Sequence, residues 1–319
     1  MKSIADRIAA APITWGVCEV PGWGHQISAE RFLADIRALG IHATELGPDG
    51  FLPTDPHRLA ELLDRYGARV VAGFVPAVLY RKDLLDDQLA YVHRAASTLA
   101  GVGAEIMVLG PDAATSGYEE RIRMDDADWK TFGDGLADVR RIAGDAGLHV
   151  ALHPHWGMVI ETADEIERLL HTTDVDLCLD TGHLALAGAD PREMVRRFGD
   201  RVAHMHLKDL DPAIAGRVRT GAIGYRDAVA RGLYRPLGQG GIDIVGVVTE
   251  LDRHGYGGWW VLEQDTVLAD AEPDVEAGRL AAAASYRFLI EITGRNGRNG
   301  RSPVKPEDGY AGTAPRGAT

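Results

Sequence analysis

Disulfide chemistry has little to work with in this chain. Its 319 residues contain two cysteines, Cys18 and Cys178, too few for a stapled framework. Basic side chains are also in deficit: Lys and Arg number 34 against 47 Asp and Glu, a formal charge of −13. Such a body is repelled by polyphosphate backbones, and no Lys/Arg run builds a local groove in the folded part. Nucleic acid is therefore not an expected partner. No apolar run approaches the roughly 18 residues of a membrane span, and Met1-Lys2-Ser3-Ile4-Ala5-Asp6-Arg7 lacks the apolar core of a signal peptide. A soluble, cytoplasmic protein without a membrane partner is expected. A Gly-x-Ser-x-Gly nucleophile elbow is missing, and Thr14-Trp15-Gly16-Val17-Cys18-Glu19 offers no glycine-rich phosphate loop. What remains, 45 % apolar and 25 % charged residues, is globular composition. The length accommodates one α/β barrel of roughly 250 residues.

Short apolar runs alternate with longer amphipathic ones about eight times. The strand candidates are Ala11 to Trp15, Ala43 to Leu46, Val70 to Phe74, Ile106 to Leu109, Leu148 to His153, Asp176 to Leu179, Val202 to His206 and Trp259 to Leu262. Their continuous apolarity is what strands covered on both faces require. Helical patterns lie between them, several closing on a glycine such as Gly40, Gly67 or Gly147. Thr162 with Glu165 reads as a capping box. Repeated βα units imply a parallel sheet with right-handed crossovers, and eight of them predict a closed (β/α)8 TIM barrel over residues 1–293. Two segments break the rhythm. Residues 210–237 form a long insertion after strand 7, with a short helical stretch at Tyr225 to Ala230. Residues 294–319 are rich in Gly, Pro and charge and are expected to form a disordered tail.

In a barrel, the C-terminal ends of the strands converge on the face that holds the active site. Here strand 2 ends in Glu45, strand 5 in His153 with His155 beyond, and strand 6 in Asp180-Thr181-Gly182-His183. Strand 7 reads His204-Met205-His206-Leu207-Lys208-Asp209, and strand 8 ends in Glu263-Gln264-Asp265. Imidazoles and carboxylates together suit a divalent cation. The first-choice ligands are Asp180, His206 and Glu263, with His153 as the fourth. His155 could equally be a ligand, a base or a group orienting one. His204, two residues before His206, is expected to be packed and hydrogen-bonded deeper in the barrel. The first loop, Pro21-Gly22-Trp23-Gly24-His25-Gln26, opens onto the same mouth and makes His25 a candidate substrate contact. Gly238-Gln239-Gly240-Gly241 is either a tight turn or a place where backbone approaches substrate or metal.

Several of these segments together resemble the sugar phosphate isomerase/epimerase superfamily, the xylose-isomerase-like barrels. They are Ala11-Pro12-Ile13-Thr14-Trp15-Gly16, Glu45-Leu46-Gly47, His153-Pro154-His155, Asp180-Thr181-Gly182-His183, His206-Leu207-Lys208-Asp209 and Glu263-Gln264-Asp265. Within that superfamily the chain looks most like the myo-inosose-2 dehydratase branch of inositol catabolism. The resemblance implies a metal site of Glu, Asp, His and Glu from strands 5 to 8. Three of these map onto Asp180, His206 and Glu263, while His153 stands where the family usually has a glutamate.

The implied activity is a metal-dependent lyase removing water from a cyclic polyhydroxy ketone. Mn²⁺ is the first expectation for the cation, with Co²⁺, Mg²⁺, Fe²⁺ and Zn²⁺ as alternatives. The candidate bases are His153, His155 and Glu263; the candidate acids are Lys208, Glu45 and His183. Trp15, His25, Glu45, His155 and Lys208 are expected to contact a small polyol or keto-sugar, and a homo-oligomer is compatible with this picture. A metal-dependent ketose epimerase or aldose–ketose isomerase is the nearest alternative and a non-catalytic sugar-binding barrel a more distant one. An abasic-site endonuclease is disfavoured by the acidic charge and by strands 3 and 4, which end in Phe74 and Leu109-Gly110 without His or Glu.

Overall fold

The computed structural model describes residues 3–299, apart from Ser116 and residues 270–273. Eight parallel strands close into a barrel: β1 (Ile8–Ala10), β2 (Ala43–Glu45), β3 (Arg69–Ala77), β4 (Ile106–Pro111), β5 (His149–Leu152), β6 (Asp176–Asp180), β7 (Val202–Leu207) and β8 (Trp260–Leu262). Each strand pairs with its neighbour in sequence, and β1 closes the ring against β8, with Ile8 opposite Trp260 and Ala10 opposite Leu262. This seam is three residues long. Arg7 fastens it by donating to the carbonyls of Tyr256 (3.0 Å) and Gly258 (2.7 Å). Among the described residues no helix is long and apolar enough to cross a membrane.

Two layers of packing follow from strand alternation. Ala9, Ala43, Val108, Ala151, Cys178 and Val261 point inward and fill the lumen with small side chains. Their neighbours Ile8, Met107, Leu152, Leu179, Met205 and Leu262 point outward and meet the helices in one large core. Thr162 with Glu165 forms the expected capping box, and Ser28 caps its helix by accepting from Arg31 N–H. The insertion has a core of its own, in which Leu210, Ala215, Val218, Tyr225 and Leu233 pack against Trp23 and Leu186. Its helix Tyr225–Ala230 lies where the pattern placed it. A second helix, Pro212–Arg219, and a two-stranded ribbon of Asp209–Leu210 with Tyr234–Arg235 were not anticipated.

Two boundaries differ from expectation. The first strand is Ile8–Ala10, and Pro12–Trp15 is a 3-10 turn. Pro12 presets a helical φ and removes a ladder donor, so the apolar run Ala11 to Trp15 leaves the barrel instead of forming it. Gly16 ends the turn at φ 79°. At the other end, helix Ala277–Asn299 continues through residues 294–299, and the remainder of the expected tail lies outside the described residues.

Candidate metal centre

The alternation that fills the lumen also delivers the site. One step beyond Ala151 on β5 is His153; beyond Cys178 on β6 is Asp180; beyond His204 on β7 is His206; beyond Val261 on β8 is Glu263. The inward face thus switches from packing to chemistry at the barrel's C-terminal rim. One ligand atom from each of His153, Asp180, His206 and Glu263 lies within 4.8 Å of all the others, and all four residues are buried. His153 Nδ1 and Asp180 Oδ2 are both buried without a hydrogen-bond partner, the latter with the Lys208 ammonium at 3.2 Å and His206 Nδ1 at 3.8 Å. Two imidazoles and two carboxylates aimed at one point, with donor atoms left over, fit a divalent ion.

Glu45 supports this cluster from across the lumen. Its Oε1 accepts from His204 Nε2 and from His206 Nε2, each at 2.9 Å. A carboxylate on Nε2 leaves His206 Nδ1 turned to the cluster, 2.8 Å from Glu263 and 3.8 Å from Asp180. Burial would raise the Glu45 carboxyl, but His206 and the two imidazole hydrogen bonds overcome it and hold the group at about 2. Held in this way, Glu45 is ionised, with both imidazoles donating to it. It orients His206. Burial pushes the Asp180 carboxyl up to about 6, against the pull of Lys208. The same burial acts on Glu263, but His206 and Lys208 prevail and keep it well below the usual carboxylate range.

Lys208 is 1 % exposed. Its ammonium sits 2.6 Å from Glu263, 2.9 Å from Asp265, 3.2 Å from Asp180 and 3.0 Å from His183 Nε2. Burial opposes the charge, but Asp180, Asp265 and Glu263 more than restore it. Its bond to His183 uses the lone pair on Nε2. Burial and the neighbouring His155 hold His183 well below its ordinary value, so that ring is neutral and a poor proton donor. His155 Nδ1 donates to the Trp156 carbonyl at 2.7 Å. That bond places the lone pair on Nε2, and burial, followed by the Lys208 charge, lowers the group to about 4. A neutral imidazole with a free Nε2 is equipped to accept a proton.

A cavity of 220 Å³ opens over the centre. Glu45, His153, His155, His206, Lys208, Glu263 and Asp265 line its polar side, with Phe74, Tyr118 and Trp23 among its apolar walls. Two expected substrate contacts are not there. Trp15 is 1 % exposed, donates its indole N–H to Asp35 at 3.1 Å and packs edge-on against Phe32. The 3-10 turn that displaced the first strand directs it into the helix layer. His25 is tied by its backbone to Leu268 and does not reach the cavity; Trp23 of the same loop does. His204 is packed and hydrogen-bonded as expected. Gly238 and Gly240 form a turn whose N–H groups grip Asp209, and a Cβ on Gly240 would come within 2.2 Å of that carboxylate.

Asp265, Tyr225 and Tyr234 were not foreseen. Asp265 Oδ2 accepts from the Tyr225 hydroxyl at 2.5 Å, and Tyr225 and Tyr234 share a hydrogen bond of 3.1 Å. Asp265 could have been found by its spacing, two residues after Glu263. The tyrosines could not, because they reach the site only through the fold of the insertion.

Comparison with known proteins follows the same lines. An inosose dehydratase of Geobacillus kaustophilus (strain HTA426) is 31 % identical over 278 residues, covering 84 % of this chain and 90 % of the relative. The rhizopine catabolism protein MocC of Rhizobium meliloti is 31 % identical over 297 residues, covering 88 % of this chain and 90 % of that protein. The crystal structure of the IOLI protein with a zinc atom superimposes with a TM-score of 0.69 at 17 % identity, covering 91 % of this chain and 98 % of the other. The family described as xylose isomerase-like TIM barrel matches residues 33–300, and the chain belongs to that family.

Proposed function

We propose that this protein is a metal-dependent lyase that removes water from a cyclic polyhydroxy ketone, as an inosose dehydratase does. The observation that carries this is the convergence of His153, Asp180, His206 and Glu263 on one point, with His153, His206 and Glu263 lining the cavity above it. The 31 % identity to an inosose dehydratase supports the choice of substrate class. These four residues would hold the cation, with Mn²⁺ the first to test. When bound, such an ion supplies Lewis acidity toward a carbonyl oxygen and a neighbouring hydroxyl.

The chain's own groups account for the proton traffic. His155 Nε2 takes the hydrogen next to the carbonyl. The C–H electron pair first moves toward the carbonyl to give an enolate, a step solvent protons can reverse. As the carbonyl re-forms, that pair becomes the new C=C bond and the neighbouring C–O bond breaks. The departing hydroxyl takes a proton from the Lys208 ammonium and leaves as water. Solvent then removes the proton from His155 and returns one to Lys208. Glu45 is already ionised and His183 already neutral, which leaves Lys208 as the donor among the expected acids. General acid and base help of this kind is worth about 10²–10⁴-fold each.

The test is incubation of chelated, Mn²⁺-reconstituted protein with inosose in D₂O, followed by NMR. A dione formed with loss of water is expected. An epimer, or solvent deuterium at the α-carbon with no elimination product at any time, would refute the lyase assignment.

A further inference from the structure

We infer that the 210–237 insertion positions the proton donor, with Tyr225 fixing Asp265 so that Asp265 fixes Lys208. Lys208 has four partners within 3.2 Å, but an ammonium offers three N–H bonds. Two of the partners, Asp180 and Glu263, also belong to the ligand cluster. Asp265 is the one carboxylate partner outside it, so it can stay with Lys208 whatever occupies the centre. An aspartate can rotate about its own side chain, and here its second oxygen prevents that. Oδ2 accepts the Tyr225 hydroxyl at 2.5 Å while Oδ1 faces Lys208 at 2.9 Å.

Tyr225 is itself held on several sides. It is 1 % exposed, its backbone N–H donates to Glu119 at 2.7 Å, and its ring packs against Tyr118 and Trp23. Because the Tyr225 hydrogen goes to Asp265, Tyr234 donates in turn to the Tyr225 oxygen at 3.1 Å. The Tyr234 ring also lies 5.3 Å from the Lys208 ammonium. The chain of bonds runs from Tyr234 to Tyr225 to Asp265, with Lys208 donating to the far carboxylate oxygen. Both tyrosines come from the insertion, so the added segment acts as a clamp on a group that β7 delivers. Tyr225 is a positioning residue. Its effect on the reaction rests on the proposed elimination, whereas its effect on Lys208 does not.

The test is Tyr225→Phe, which removes the hydroxyl and keeps the ring. Reductive methylation of the metal-free protein, read at Lys208 by mass spectrometry, reports the clamp without any catalysis. Lys208 should be protected in the wild type and labelled at least threefold faster in the variant. A smaller change overturns the inference. With Mn²⁺ and inosose, kcat should fall about 10- to 100-fold, the scale of a small misplacement, with KM within about threefold. Exchange of the α-hydrogen in D₂O should persist, because His155 is untouched. Elimination and exchange falling together would overturn the positioning role. A wild type that neither exchanges nor eliminates would defeat the proposed function, and the labelling result would still decide the clamp. If Tyr225→Phe does not fold, Tyr234→Phe takes its place, since it removes the donor one bond further out and is judged by the same labelling threshold.

Discussion

Replacing Asp180 with asparagine separates two jobs performed by one side chain. Oδ1 accepts from the backbone N–H groups of Gly182 (2.7 Å) and His183 (2.9 Å), capping helix Thr181–Leu186. Asparagine ranks with aspartate as a cap, so that job survives. Oδ2 faces the ligand cluster, and there asparagine removes the negative charge. The metal-free protein should therefore melt within about 2 °C of the wild type, because about 1 kcal/mol of capping is retained. The metal response should not survive. A ligand that binds only the native state at 100 times its Kd stabilises by about 2.7 kcal/mol. Unfolding entropy of about 2.1 cal/mol/K per residue comes to about 0.7 kcal/mol/K for 319 residues. Wild-type protein should thus gain about 4 °C in Tm on adding Mn²⁺ at that excess. Losing a direct ligand should weaken binding by at least about 100-fold, the upper range for supporting groups. The remaining stabilisation is then about 0.4 kcal/mol, a shift below about 1 °C. Thermal melts of chelated protein with and without Mn²⁺ read both quantities. Asp180→Asn with the full wild-type shift would refute the assignment of Asp180 to the centre.

Glu45→Gln should keep the fold but release His206 from its carboxylate, weakening metal affinity about 10- to 100-fold in a titration monitored by calorimetry. Asp209→Ala should be among the most destabilising changes. It leaves the N–H groups of Leu210, Gly238, Gly240 and Ile242 without their acceptor, at a cost of at least about 3 kcal/mol by urea unfolding. Arg121 grips Glu165 through two bonds of 2.6 and 2.7 Å and lies 3.0 Å from Glu161. Burial raises the Glu165 carboxyl, but Arg121 overcomes it and lowers the group below its ordinary 4.5. A lowered carboxyl contributes stability above its unfolded pKa and loses it as pH falls through the folded value. Arg121→Ala should consequently cost about 1–2 kcal/mol at pH 7, and the gap to wild type should narrow below pH 4.5 in denaturant melts.

The barrel and the clustering of His153, Asp180, His206 and Glu263 at its rim could be read from the chain because both depend on period-two alternation. A strand covered on both faces is apolar throughout. A polar residue at its inward C-terminal step, such as Asp180 after Cys178, departs from that rule visibly. The first strand was misplaced because Ala11 to Trp15 is as apolar as a strand, and only Pro12 marks it as a turn. Trp15 followed it into the wrong place. Glu45 was recognised as belonging to the mouth, but its pairing with His204 and His206 spans more than 150 residues, and no local pattern encodes such a contact. Tyr225 and Tyr234 were hidden for a related reason. They lie in a segment without barrel periodicity, and their position depends on the insertion folding back over β6 and β7.

The three-residue junction between the first and last strands has a consequence for how the molecule breathes. Glu263 follows β8 immediately, so fraying of that junction would displace one member of the candidate ligand cluster. A bound ion would therefore act as a rivet on the ring. Amide exchange at Ile8–Ala10 and Trp260–Leu262 should slow on metal loading, although none of those residues belongs to the cluster.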